Sequence, residues 1–284
     1  MPDRPVALKA TLRQDAIRRE IEVKGRVSIA ELKDRLEVSE VTIRGDLQHL
    51  ERRGVLTTVR GGAVASRSVP LEMPLEETST TNRAEKMAIG ARAAAMVKDG
   101  QTVIIDVGST TTEMAKALSP DLNRVNVITN GLNIALILEV LRGVSVIVTG
   151  GTLRPLQHSL VAPMGTILLD QLKADVAFLG CNGIHPARGV TNTSIAEAEI
   201  KQAMVRSAKR VVVLADHDKI GKVASAFVAD ISGADVLITD DGADETVLEH
   251  LKSEGLAIEV VRPGSGWGQV ARETGGRTPW RADG

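Results

Sequence analysis

The chain predicts two domains of different class. Residues 10–65 are expected to form a small helical unit with a β-hairpin wing, and residues 83–262 an α/β unit built on a mostly parallel sheet. Three observations lead there. Short capped helical stretches crowd into the first fifty-odd residues and run into VLTTVRGGAV. Beyond Arg83, apolar β-branched runs alternate with helical stretches, the signature of strands covered by helices. Between the two lies AVASRSVPLEMPLEETSTTN, with two prolines and a Ser/Thr-rich end, so residues 66–82 read as a linker. A chain of 284 residues is long enough for two cores.

The first helix runs from Leu12 to Lys24, with Ala16, Ile17 and Ile21 as its apolar stripe. Ser28 and Glu31 stand at capping-box spacing, and Leu32 and Leu36 supply the buried face of the second helix. Ser39 caps a third helix whose Ile43, Leu47 and Leu50 point one way. Gly54 closes it after Arg52 and Arg53. Two short helices joined by a tight turn make a helix-turn-helix, here over about residues 27–46. At 100° per residue the face opposite the stripe carries Val41, Gly45, Gln48 and Arg52, with Thr42 and Arg44 on its flanks. Such a face suits a major groove, where Gln pairs with adenine and Arg with guanine or phosphate. The hairpin that follows ends in Gly61-Gly62 and places Arg60 near its tip, against backbone or minor groove. The candidate DNA contacts are Ser39, Thr42, Arg44, Gln48, Arg52 and Arg60. The competing reading is a three-helix protein-binding domain with solvated charges.

In the second unit the expected strands are Thr102–Val107, Val125–Thr129, Val144–Thr149, Asp175–Leu179, Arg210–Ala215, Asp235–Thr239 and Leu256–Val261. Runs such as VIID and VVVLAD are apolar throughout, as strands buried on both faces must be. The first run leads into DVGSTTTEMAKAL. A strand ends at Asp106, Gly108 lets backbone approach, Ser109, Thr110 and Thr111 bring hydroxyls, and a helix N-terminus presents free N–H groups. That suits a phosphate or another anion. The loop has neither the GK[ST] of a P-loop nor the GxGxxG of a dinucleotide site. Thr129 and Asn130, Gly150 and Gly151, Gly183, and Asp216 with Lys219 stand at the ends of later strands. Ligands of open parallel sheets bind beyond the carboxyl ends of strands. The set therefore points to a small phosphorylated sugar or polyol, with Lys219 supplying charge and Asp106 and Asn130 meeting hydroxyls. The last stretch, residues 263–284, is rich in Gly and polar residues and is expected to be disordered.

Composition narrows the classes further. Residues 1–62 hold 13 Lys+Arg against 10 Asp+Glu; the remainder holds 22 against 26, so +3 and −4 give the net −1. A mildly basic end on an acidic body permits DNA contact by the first unit only. With two Phe, two Trp and no Tyr, binding of single strands through stacked bases is disfavoured. Cys181 is the only cysteine, which excludes an internal disulfide and a multi-cysteine metal site. The five histidines show no metal-ligand spacing, so neither a metal nor a cofactor is expected. No run of 18 uninterrupted apolar residues and no apolar leader occurs, which points to a cytoplasmic protein without a membrane partner.

These residues resemble the DeoR family of bacterial transcription regulators. In the first unit the resemblance rests on Val38-Ser39, Thr42-Ile43-Arg44, Asp46-Leu47, Leu50-Glu51, Gly54 and Gly61-Gly62-Ala63. In the second it rests on Glu85-Lys86-Met87-Ala88-Ile89, Asp106 to Thr111, Thr129-Asn130, Gly150 to Leu153, Asp175 to Gly180, Gly189 to Thr191, Lys201 and Asp216 to Lys219. Three positions depart from the family habit: Gly45 for a second arginine, Arg60 for a histidine, and Ala162 for a glycine. The resemblance implies a winged helix-turn-helix joined to a sensor domain related in fold to ribose-5-phosphate isomerase. It implies a repressor of carbohydrate catabolism that binds a double-stranded operator and answers to a sugar phosphate. A single helix-turn-helix reads a short half-site, so a homodimer or homotetramer is expected. The alternative is a sugar-phosphate isomerase- or deaminase-like enzyme with an accessory N-terminal domain. Glu197, Glu199, His185, His217 and Asp218 would be its proton-transfer candidates, although Glu197 and Glu199 read as ordinary acids of a first helical turn. No catalytic residue is assigned.

Overall fold

The structure, a computed structural model, describes residues 10–52, 55–65 and 74–264. The chain divides into two compact units between Met73 and Pro74.

The first unit contains α1 (Ala10–Lys24), β1 (Arg26–Ser28), α2 (Ile29–Leu36), α3 (Glu40–Arg52), β2 (Leu56–Val59) and β3 (Gly62–Ala65). The capping box of α2 forms in full: Ser28 Oγ accepts from Glu31 N–H, and Glu31 accepts from Ser28 N–H. Ser39 Oγ accepts from Thr42 N–H at 3.2 Å and so caps α3. Ile17, Ile21, Leu32, Leu36, Ile43, Leu47 and Leu50 close over Leu56 and Ala63 as one core. The predicted stripes are the buried faces. Asp46, on α3, is buried as well; it accepts from the Arg13 guanidinium and from Gln14 Nε2 on α1, which locks the two helices together. Beyond the expected hairpin the structure adds a third wing strand. β1 pairs antiparallel with β3, so β3 lies between β1 and β2. A Cβ on Gly62 would sit 2.1 Å from the Val27 carbonyl oxygen, which is why a glycine stands there. Gly54 and the side chain of Arg52 lie outside the described residues.

The second unit opens with α4 (Leu75–Thr78) and α5 (Arg83–Ala94). The segment expected to be linker is therefore helical in its second half, and the compact unit starts at Pro74 rather than Arg83. Residues 66–73 lie outside the described residues, as do residues 265–284 of the expected tail. Then follow β4 (Thr102–Ile105), α6 (Ser109–Lys116), β5 (Val125–Thr129), α7 (Leu132–Leu138) and β6 (Val144–Val148). A hairpin of β7 (Thr152–Arg154) and β8 (Ser159–Val161) leads to α8 (Met164–Asp170) and β9 (Val176–Gly180). β10 (Gly183–His185), β11 (Gly189–Asn192), α9 (Ile195–Ser207), β12 (Val211–Leu214), β13 (Ala226–Ala229), β14 (Val236–Asp240), α10 (Glu245–Ser253) and β15 (Ala257–Val261) complete it.

The seven predicted runs all become strands of one parallel sheet, in the order β15-β14-β12-β9-β4-β5-β6. Alternation of side chains builds a core on each face. Ile104, Ala177, Leu179 and Val213 pack under α9 and α10, while Val103, Ile105, Phe178 and Val212 pack under α5, α6 and α7. The chain enters the sheet at β4, builds outward to β6, then returns to the other side of β4 with β9. The strand order thus reverses between β4 and β9, the place where such sheets open a crevice for ligands. A second sheet, β10-β11-β13, packs by Val190 and Val228 onto the α9 side. Its three strands are additional to the seven predicted runs.

Candidate DNA-binding face and ligand site

The free face of α3 is the one the helical wheel predicts. Val41 is 79% exposed, and Gly45 and Gln48 are exposed beside it. Arg44 is exposed and holds Glu40 at 2.6 Å, one turn back. Thr42 is half-buried, its hydroxyl 2.8 Å from that of Ser39. Arg60 is exposed at the hairpin turn between β2 and β3. Glu51 fixes the wing to α3 by accepting from the Thr58 N–H and hydroxyl, both at 2.6 Å, and those bonds hold its carboxyl below the usual range.

At the switch point of the large sheet lies a buried charged cluster. Asp106, at the end of β4, is fully buried. Its Oδ2 accepts from Gly180 N–H at the end of β9 (3.1 Å) and from the ammonium of Lys201 on α9. Lys201 is itself buried and also donates to the Gly180 carbonyl oxygen at 3.0 Å. Asp106 Oδ1 has no hydrogen-bond partner among the described residues. Burial pushes the Asp106 carboxyl up to about 6, against the opposing charge and hydrogen bond of Lys201. Beside it Glu197 is buried, accepting from Ser159 Oγ (2.7 Å) and Asn192 Nδ2 (3.1 Å) and pairing with Arg154 (2.5 Å).

The other predicted ligand residues divide into two groups. Gly108 and Ser109, at the start of α6, are half-exposed, as are Gly150 and Lys219, and Gly151 is exposed. Thr110, Thr111, Thr129, Asn130 and Asp216 are buried and largely serve the scaffold. Thr111 donates its hydroxyl to the Gly108 carbonyl oxygen. Thr129 Oγ1 accepts from Gly131 N–H. Asn130 accepts from Val107 N–H at 2.9 Å, tying the β5 end to the β4 end. Gly183 has a packing reason, since its Cβ would lie 2.4 Å from the Lys222 carbonyl oxygen. Gly151 likewise brings backbone to within 2.0 Å of a would-be Cβ, at Val161 O, with φ of +124°.

A second polar cluster sits beyond β12. Lys86 is buried, donates to the Thr78 carbonyl oxygen at 2.6 Å and lies 3.7 Å from Asp216. Burial lowers its pKa, with Asp216 opposing and Lys219 assisting. His217 Nδ1 lies 2.7 Å from Asp240. Burial alone would lower the His217 pKa, but the hydrogen bond and charge of Asp240, helped by Asp218 and Asp216, leave it raised.

Lys86, Lys201 and Glu197 stand outside the predicted set of ligand residues. A signal for each is in the sequence: a charge standing on the apolar stripe of its own helix. Lys86 precedes Ile89, Gly90 and Ala93, and Glu197 and Lys201 alternate with Ala198, Ile200 and Met204. A charge on a buried stripe is held there by a partner.

A winged helix-turn-helix with an exposed reading face, followed in the chain by an α/β unit whose switch point carries a buried charged cluster, is what a ligand-responsive DNA-binding regulator needs. Comparison with known proteins places it. The family description "DeoR C terminal sensor domain" matches residues 81–241, and "DeoR-like helix-turn-helix domain" matches residues 13–69. The HTH-type transcriptional regulator GolR of Listeria innocua is 33% identical over 249 residues, covering 88% of this chain and 98% of its own. The glycerol-3-phosphate regulon repressor of Escherichia coli is 29% identical over 253 residues, covering 89% of this chain and 100% of its own. Among solved structures, ribose 5-phosphate isomerase A of Methanocaldococcus jannaschii matches 49% of this chain and 55% of its own, with 18% identity and a TM-score of 0.37. The chain belongs to the DeoR family and is a DNA-binding transcriptional regulator. The family match sets aside the enzyme alternative. No helix among the described residues is long and apolar enough to cross a membrane.

Proposed function

We propose that the chain is a repressor of carbohydrate catabolism genes, released from its operator by a phosphorylated sugar or polyol. It works in the cytoplasm, where its operator is, as a homodimer or homotetramer, and needs no cofactor. Ser39, Thr42, Arg44, Gln48 and Arg52 of α3 and its cap read the groove, and Arg60 of the wing meets the backbone. The observation that carries the effector reading is the buried Asp106, held by Lys201 and Gly180 but with Oδ1 unpartnered. A carboxylate oxygen so placed accepts a hydroxyl of a polyol and gains the bond it lacks. The N–H groups at the start of α6 and the Lys219 ammonium supply the anion's partners.

The test is fluorescence anisotropy of the full-length protein on duplex DNA flanking its own gene, titrated with a panel of sugar phosphates. One member is expected to release the DNA from the parent protein. Asp106→Asn should bind the same duplex with unchanged affinity and ignore that compound. A variant released at the parent concentration would end the assignment of Asp106.

A further inference from the structure

We propose that the free edge of the large sheet, β6, is where two copies of this chain join, strand to strand and antiparallel about a two-fold axis. The two edges of the sheet differ in kind. β15 carries Glu259, paired with Arg92 at 2.7 Å, and a charge on an edge strand discourages pairing. β6 reads VSVIV, with no charge, proline or bulge. Its hydrogen bonds show which groups are open. Val125 N–H donates to Gly143 O, and Thr149 N–H donates to Thr129 O. In a parallel pair this pattern turns the odd-numbered residues of β6 toward β5 and leaves the N–H and C=O of Val146 and Val148 pointing away from it. No described residue pairs with them.

The surroundings of that edge are apolar on both faces. α7, which packs on β6 from one face, exposes Leu136 (65%), and Val140 in the turn after it is 74% exposed. α8, on the opposite face, exposes Met164 (59%) and Ile167 (53%), and Met164 lies against Gly150 just past β6. Ile147 and Val148 are 36% and 39% exposed between them. Together these six residues leave roughly 600 Å² of mostly apolar surface open on the two sides of the strand. That is most of the ~800 Å² each partner of a stable dimer buries. An identical strand is the occupant that fits. It offers the same uncharged row, and a register centred on Val146 lets each Val146 exchange both backbone bonds with its mate. The helices then meet their own copies across the axis.

The inference deepens the assembly part of the proposed function and does not depend on the DNA or effector assignments. The test uses the full chain. Light scattering and sedimentation should give at least a dimer for the parent. Leu136→Lys with Ile147→Lys should halve that mass while the far-ultraviolet circular dichroism stays unchanged. As a second arm, V146C should form an oxidised covalent dimer, because hydrogen-bonded antiparallel pairs bring Cα atoms to about 5.5 Å, within disulfide reach. V260C on the opposite edge strand, and the parent with Cys181 alone, should not. A parent dimer whose mass survives both lysines, with no V146C cross-link, would place the interface elsewhere and leave the dimeric regulator standing. A monomeric parent would overturn both.

Discussion

Replacing Lys201 by methionine should make the stability of the sensor unit depend on pH in a way that the parent's does not. Burial raises the Asp106 carboxyl to about 6 from 3.8, with Lys201 opposing. A folded pKa above the unfolded one means that the folded state keeps its proton where the unfolded state has lost it. Stability contributed by this group is therefore full below about pH 4 and falls as pH rises toward 6. At 1.36 kcal/mol per unit, the 2.2 units amount to about 3 kcal/mol lost by pH 7. Lys201 limits that loss. Without its charge the folded pKa of Asp106 moves higher still, so the variant goes on losing stability above pH 6, where the parent has levelled off. The parent-minus-variant difference should grow by about 1.4 kcal/mol per pH unit above 6. It should approach the ~3–5 kcal/mol typical of breaking a buried pair. At pH 5, with Asp106 neutral in both, most of it should vanish. The assay is urea unfolding followed by circular dichroism at pH 5, 6, 7 and 8, reading the transition that N-terminal substitutions leave unmoved. A difference that stays constant from pH 5 to 8 would show that Lys201 does not set the ionisation of Asp106.

Gly45 is an exposed interior position of α3 where an added methyl would meet nothing within 4 Å and φ is not positive; Gly45→Ala should raise the stability of the DNA-binding unit by about 0.5–1 kcal/mol, seen as a higher urea midpoint of its transition. Arg44→Ala should weaken specific operator binding by about 1–3 kcal/mol in anisotropy titrations, because its exposed pair with Glu40 costs little to give up and the substitution removes the proposed base or phosphate contact. Gly151→Ala should destabilise the sensor unit by about 1–3 kcal/mol or more in the same urea series, since the new methyl meets the Val161 carbonyl at 2.0 Å and the φ of +124° disfavours a side chain.

How legible the fold was depends on the length and chemistry of each piece. The five inner strands of the large sheet announce themselves because both their faces are largely buried, so nearly every residue of TVII, VNVIT or VVVL is apolar or β-branched; the edge strands β6 and β15 show through their β-branched runs alone. The short strands TLR, SLV, GIH and GVTN carry too few such residues to stand out from loops, and β1, only Arg26–Ser28, owes its existence to pairing with β3. Helix caps were readable because capping is local. Ser28 with Glu31 and Ser39 with Thr42 need nothing from the rest of the chain. The site was only half legible. Strand ends gave Asp106 and the loop to Thr111, but Lys201 arrives from a helix 95 positions later in the sequence. Asn130 shows what a strand-end position leaves unread, since its side chain also braces the neighbouring loop by accepting from Val107 N–H.

The proposed reading, in which the same cluster holds a ligand without turning it over, has a physical basis. Proton transfer at a sugar carbon needs a carboxylate or imidazole with an open lone pair and room to reach the substrate. Glu197, the best buried candidate, already receives Ser159, Asn192 and Arg154, so both of its oxygens are engaged by the protein itself. Glu199 faces solvent on α9, and His185 Nδ1 accepts from Ala187 N–H. Asp106 keeps an unpartnered oxygen, but its other oxygen is bonded to Lys201 and Gly180 and cannot swing toward a substrate without breaking both bonds. A fixed acceptor aimed from the switch point, backed by a buried cation, stabilises a hydroxyl equally well at every stage of a reaction. Uniform binding of that kind accelerates nothing, but it is what a sensor needs, provided the bound and free forms of the chain differ in how well they offer it.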